Sequence, residues 1–84
     1  MVLKIVADAV DRQGHFERIF EMKMDYALMK SIEAVCEDGG SLRKRNTRAV
    51  IDLIAASSPS SASEFQENLH GWDDNAVIIF YSGR

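Results

Sequence analysis

The chain has 84 residues, of which 46% are apolar and 27% charged, and its formal net charge is −3. These values lie close to the averages of folded globular proteins, so they exclude an intrinsically disordered or collagen-like chain. A length of 84 residues accommodates one hydrophobic core, which predicts a single domain over residues 1–84.

The sequence also argues against secretion and membrane insertion. Cys36 is the one cysteine, so the chain cannot form an internal disulfide. Lys4 and Asp8 interrupt the amino-terminal apolar residues that a signal peptide would need. The longest continuous apolar run, 76–81, is far shorter than the roughly 18 residues of a membrane span. We therefore expect a cytoplasmic protein with no membrane partner.

A β-hairpin is predicted at the amino terminus. Residues 2–10 are rich in β-branched and other apolar side chains, and apolar and charged residues alternate over 15–24. Between them, Asp11 and Gly14 occupy the first and fourth positions of a turn, where they favour a type I turn followed by a left-handed glycine. The alternative is a helix that begins at Phe16, because its apolar residues also fit helical spacing.

Three helices are predicted after the hairpin. The first covers 26–38, with Asp25 as its N-cap and the Gly39-Gly40 pair at its end. The second covers 47–56, a segment that could alternatively be a fourth strand. The third covers 61–71, because Ser61 and Glu64 have the spacing of a capping box.

The last predicted element is a strand over 75–82. Its near-continuous apolar run is typical of a strand buried on both faces, which predicts a central position in the sheet. The fold class is therefore α+β: a small two-layer domain with a sheet of three, or four, antiparallel or mixed strands and two to three helices over one face. The expected core residues are Leu28, Ile32, Val35, Phe65, Leu69, Val77 and Ile79.

One compact basic block stands out from this acidic chain. Arg43, Lys44, Arg45 and Arg48 place four positive charges within six positions. Guanidinium groups bind phosphates and carboxylates in a bidentate manner, so the block is the first candidate for contact with another macromolecule. The alternative interpretation is a solvated helix face, and no aromatic residue lies within the block to stack on nucleic-acid bases.

A second candidate contact group is Met22, Met24, Tyr26 and Met29, at the junction between the second strand and the first helix. Exposed methionine and tyrosine side chains form adaptable binding surfaces. The alternative interpretation is that these side chains fill the core of a small domain.

No catalytic, metal or cofactor site is predicted. His15 and His70 are not at metal-ligand spacing with Cys36 or with an acidic residue. Cys36 lies on the apolar stripe of its helix beside Glu33 and Glu37, which would raise the pKa of the thiol and make it inert. An enzymatic function therefore ranks last among the alternatives.

The leading functional hypothesis is a non-enzymatic protein-binding module: a regulator, adaptor or inhibitor. A sheet covered on one face leaves apolar surface for a partner, either another protein or a second copy in a homodimer. In size and acidic character the chain is similar to accessory proteins of phages and mobile elements, including anti-defence inhibitors. The alternative is a nucleic-acid-binding or nucleoprotein-targeting factor that uses the basic block.

Overall fold

The computed structural model describes residues 3–83, which form a four-stranded sheet and three α-helices. In chain order the elements are β1 (Leu3–Val10), β2 (Phe16–Met24), α1 (Tyr26–Val35), β3 (Ser41–Arg43), a 3₁₀ turn (Lys44–Asn46), α2 (Arg48–Ser57), α3 (Pro59–Leu69) and β4 (Val77–Gly83). The predicted α+β class is confirmed.

All neighbouring strands are antiparallel, and their order across the sheet is β2-β1-β4-β3. The carboxyl-terminal strand β4 is therefore an interior strand, as predicted. The fourth strand is β3, which follows the first helix; segment 47–56, the alternative location for it, belongs to a helix. Gly40 extends the pairing beyond β3, because its carbonyl oxygen accepts a hydrogen bond of 2.8 Å from the Phe80 amide.

The hairpin between β1 and β2 closes through the predicted turn. The Gly14 amide donates to the Asp11 carbonyl at 3.1 Å, and Gly14 has a φ of 82°, a conformation that glycine adopts readily. The Asp11 carboxylate also accepts hydrogen bonds from the backbone amides of Gln13 and His15, both at 2.9 Å. Two local residues thus specify the hairpin.

A β-bulge in β2 changes which side chains share a face. Ala7 pairs with Phe20 while Asp8 pairs with Arg18, so Ile19 has no partner across the strand pair. The bulge reverses the alternation, and Phe16, which the sequence pattern groups with Phe20, lies on the opposite face of the sheet. Phe16 is 63% exposed, whereas Ile19 and Phe20 are buried.

Helix α2 lies within one residue of its predicted bounds, whereas α1 and α3 each differ from the prediction by two or three residues at a boundary. Helix α1 begins as expected, with the Asp25 carboxylate accepting a 2.8 Å hydrogen bond from the Leu28 amide, but it ends at Val35, before the glycine pair. Helix α3 begins at Pro59, with Ser58 as its N-cap, so the predicted start at Ser61 was wrong. Proline suits the first helical position because the amide that it lacks would have no partner there.

The helices pack on one face of the sheet around three phenylalanines. The ring of Phe65 in α3 lies 5.0 Å from that of Phe20 in β2 and 5.8 Å from that of Phe80 in β4. Of the predicted core residues, four are buried, namely Leu28, Ile32, Phe65 and Leu69.

The expectation that β4 is buried on both faces was wrong. Ile78 and Phe80 point into the core, while Val77 is 37% exposed and Ile79 is half-buried on the other face. Val35, also expected in the core, is 37% exposed near the end of α1. Helices cover only one face of this antiparallel sheet, so the alternate residues Val77 and Ile79 of β4 lie on the uncovered face, which explains their exposure.

Candidate functional site: the open face of the sheet

The face of the sheet opposite the helices is the candidate functional site, and we call it the open face. Strand register places on it the alternate residues whose neighbours enter the core. These residues are Phe16, Arg18, Glu21 and Lys23 in β2; Lys4, Val6, Asp8 and Val10 in β1; Val77, Ile79 and Tyr81 in β4; and Ser41 and Arg43 in β3.

One end of the open face is apolar. Val10 pairs with Phe16 on one side and with Val77 on the other, so these three side chains form a row across three strands. Ile79 extends the row along β4, and Arg43, the partner of Val77, ends it at the β3 edge. Phe16, Val77 and Tyr81 are three of the five large hydrophobic side chains that are exposed in residues 3–83. Exposed apolar side chains concentrated on one face are typical of an interaction surface.

A hydrogen-bonded triad lies at the centre of the open face. Asp8 is 2% exposed, and its carboxylate accepts a 2.5 Å hydrogen bond from the Tyr81 hydroxyl. The Arg18 guanidinium donates to that hydroxyl from Nη2 at 2.7 Å, and to the Asp8 carboxylate from Nε at 3.4 Å. A buried carboxylate is costly without hydrogen-bond partners, so Asp8 favours the conformation in which Tyr81 and Arg18 both contact it. These contacts hold the side chains of Tyr81 and Arg18 in place.

The hydrogen bonds of the triad raise the pKa of its two exposed members, Tyr81 and Arg18. The hydrogen bond to Asp8 raises the pKa of the Tyr81 hydroxyl above 10.0, with a smaller contribution from desolvation. The hydrogen bonds to Tyr81 and to Asp8 raise the pKa of Arg18. Arg18 therefore presents a permanent positive charge on the open face, held in place by two partners.

The open face is positively charged, whereas the chain as a whole is negative. It carries four basic side chains, Lys4, Arg18, Lys23 and Arg43, and two acidic ones, Asp8 and Glu21. Glu21 is paired with Lys4 at 3.0 Å, and Asp8 with Arg18. The face thus has a formal charge of +2 in a chain of −3, which favours an acidic partner.

The structure divides the predicted basic block between two surfaces. Arg43 lies on the open face, because its neighbour Leu42 is buried in the core. The Lys44 amine donates a 2.6 Å hydrogen bond to the Trp72 carbonyl and so ties the 3₁₀ turn to the segment before β4.

The remaining two arginines of the block, Arg45 and Arg48, are exposed and lie elsewhere. They line a shallow groove of about 260 Å³ between α2 and α3, together with Lys44 and His70. Arg48 also pairs with Asp52 at 3.5 Å, one turn along α2. Three of the four cations therefore line one groove, and Arg43 lies apart from them on the open face.

The methionine and tyrosine group lies mostly at the seam between the sheet and α1. Met22 and Met24 are half-buried and pack against the core. Met29 is half-buried and lines, with Met24, a small apolar recess under α1. Tyr26 is exposed, with the Lys30 amine 5.4 Å from its ring centroid. Of this group, Tyr26 offers the largest exposed surface.

The remaining candidate residues of the sequence are separate from one another. Cys36 is half-buried at the end of α1; burial, Glu33 and Glu37 raise the pKa of its thiol. The His15 ring lies 2.9 Å from the Asp11 carboxylate in the hairpin turn, and His70 lies at the end of α3. Within residues 3–83, no three His, Cys, Asp or Glu side chains come together as a set of metal ligands.

Sequence reasoning missed the residues that define the open face, above all Phe16, Arg18, Val77 and Tyr81. One signal was present: an aspartate at position 8, within the otherwise apolar segment 5–10, requires polar partners. Those partners lie 10 and 73 positions away, and only the strand register identifies them.

Comparison of the chain with protein-family models, with curated proteins and with solved structures gives no match. No helix in the described part of the chain is long and apolar enough to cross a membrane.

Proposed function

We propose that the protein is a non-enzymatic binding module that docks another protein on the open face of its sheet. The observation that carries the proposal is the row of Phe16, Val10 and Val77, which remains accessible beside a fixed, charged triad. Apolar side chains together with arginine and tyrosine are the composition found at the energetic centres of protein interfaces.

The charge of the open face supports an acidic partner and argues against a second copy of this chain in a symmetric dimer. Two open faces, each with a net charge of +2, would repel each other when brought together. A partner with acidic side chains around an apolar patch would complement both the basic side chains of the open face and the row of Phe16, Val10 and Val77. The proposed role is that of a regulator, adaptor or inhibitor acting through this contact.

The same features favour a protein over a nucleic acid. The apolar end of the open face is mostly aliphatic, and the two aromatic side chains of the face, Phe16 and Tyr81, lie on strands separated by β1. Their rows are four residues apart along β1, at Val10 and Val6. This arrangement offers no continuous platform for successive bases.

Site-specific photocrosslinking in the cells that express the protein tests the proposal. The photoreactive residue p-benzoylphenylalanine replaces Phe16 in one variant, Lys23, exposed on the open face, in a second and Gln66, exposed on α3, in a control. We expect the two open-face positions to crosslink the same protein, and the Gln66 position not to do so.

Lysine substitutions at two positions test whether the partner binds to the open face. Val77→Lys should abolish the crosslinks from Phe16, while Ala34→Lys, which adds the same charge on exposed α1, should preserve them. Crosslinks to nucleic acid, to a second copy of the chain, or equally from Gln66 would contradict the proposal.

A further inference from the structure

We infer that Arg18 is the anchor of this interface, and that it binds a carboxylate which lies next to an apolar side chain in the partner. This inference rests on the proposed function and names the chemical group that the open face recognises.

Arg18 has hydrogen-bonding capacity left after its internal contacts. A guanidinium carries five N–H donors, and the hydrogen bonds to Tyr81 and Asp8 use one on Nη2 and one on Nε. Nη1 lies 3.9 Å from the Glu21 carboxylate, beyond hydrogen-bond distance. The side chain is 55% exposed, so Nη1 and the second Nη2 donor are accessible to a partner.

The two terminal nitrogens present the geometry that a carboxylate accepts in a bidentate manner. A flexible surface arginine loses conformational entropy when it binds, which reduces the affinity gained. Here the Tyr81 hydroxyl and the Asp8 carboxylate already hold the guanidinium before the partner arrives. Most of the conformational entropy of the Arg18 side chain is therefore lost when the protein folds, and little remains to be lost on binding.

The surroundings of Arg18 indicate what lies beside the bound carboxylate. Phe16 precedes it on the same face of β2, and Val10 lies opposite Phe16 on β1. A leucine, isoleucine or phenylalanine next to an aspartate or glutamate in the partner would cover these side chains. We therefore expect the recognised segment to pair an acidic with a large apolar residue.

An unbiased selection tests the inference without knowledge of the natural partner. The probe is a random library of twelve-residue peptides displayed on phage, selected against the wild-type protein. We expect the selected peptides to be enriched in an acidic residue adjacent to a large apolar one. A synthetic peptide of the enriched sequence should bind Arg18→Lys at least about tenfold more weakly, since lysine keeps the charge but lacks the planar fork.

Matched variants separate the possible outcomes. Lys30→Gln, which removes a positive charge from exposed α1, should bind the selected peptide as the wild type does. If Val77→Lys abolishes binding but the peptides carry no acidic residue, or bind Arg18→Lys unchanged, the inference fails while the open face remains the binding surface. If binding is unaffected by both Val77→Lys and Arg18→Lys, the proposed function fails as well. Circular dichroism of each variant verifies that the fold is retained.

Discussion

The hydroxyl of Tyr81 donates a 2.5 Å hydrogen bond to the carboxylate of Asp8, although the two residues are 73 positions apart in the chain. The contact joins the two interior strands across the open face. It also leaves the Tyr81 hydroxyl oxygen as an acceptor for Arg18. One buried acid thus determines the position of two exposed side chains.

Replacement of Asp8 should destabilise the fold and disorder the open face. Asp8→Ala removes the acceptor for both Tyr81 and Arg18, and we expect a loss of about 1–3 kcal/mol in the free energy of unfolding. Urea denaturation measures this loss. Glu17→Ala, at the exposed position next to Arg18, is the control and should change stability by less than about 0.5 kcal/mol.

The ionisation of Tyr81 should depend on Asp8. The hydrogen bond to Asp8 raises the pKa of Tyr81 in the folded state above 10.0, so the bond stabilises the fold at lower pH. That stabilisation is lost as the pH rises through the raised pKa, because the ionised hydroxyl can no longer donate. In a Tyr26→Phe background, absorbance at the tyrosinate band should give a midpoint above 10.0, and Asp8→Asn should lower it. An identical midpoint in the two proteins would contradict the contact.

Cys36 should react slowly with thiol reagents in the native protein. Burial and the neighbouring Glu33 and Glu37 raise its pKa, which lowers the fraction of reactive thiolate at neutral pH. Glu37→Gln should accelerate labelling modestly, and urea should accelerate it strongly. Rapid stoichiometric labelling of the folded wild type would show that the thiol is accessible and activated.

The phenylalanine cluster should dominate the stability of the core. Phe65 is fully buried between Phe20 and Phe80, so Phe65→Ala should cost about 3–5 kcal/mol through lost burial and a residual cavity. Val35→Ala, at a position that is 37% exposed, should cost less than about 1 kcal/mol. Equal losses in the two variants, measured by denaturant unfolding, would place the core elsewhere.

The glycine pair after α1 offers a comparison of two adjacent positions. Both residues have positive φ, 61° at Gly39 and 91° at Gly40, so alanine is strained at either. A Cβ at Gly40 would also lie 2.9 Å from the Phe80 carbonyl oxygen, whereas one at Gly39 would meet nothing within 4 Å. We expect Gly39→Ala to cost about 1–2 kcal/mol from conformation alone, and Gly40→Ala to cost more. Thermal unfolding of the two variants provides the test.

The sequence predicted the elements whose signals are local. Asp11 and Gly14 specify the hairpin turn, and Asp25 specifies the start of α1, because each acts on amides within four residues. The start of α3 was misplaced because several serines there can cap a helix, and Pro59 favours Ser58 among them.

The open face could not be predicted in the same way. Whether Val77 and Ile79 are covered depends on how many layers pack on the sheet, which no local pattern records. The bulge at Ile19 places Phe16 and Arg18 on the open face, and the strand register brings Arg18 to Tyr81 across 63 residues. Both features arise from pairing between distant segments.

The most direct test of the open face as the binding surface is an NMR titration of the ¹⁵N-labelled protein with the peptide obtained by selection. We predict that the largest amide shifts fall in β1, β2 and β4, around Val10, Arg18 and Val77, and that they disappear in Val77→Lys. Shifts confined to the groove of Arg45 and Arg48 between α2 and α3, with the sheet unaffected, would contradict the account.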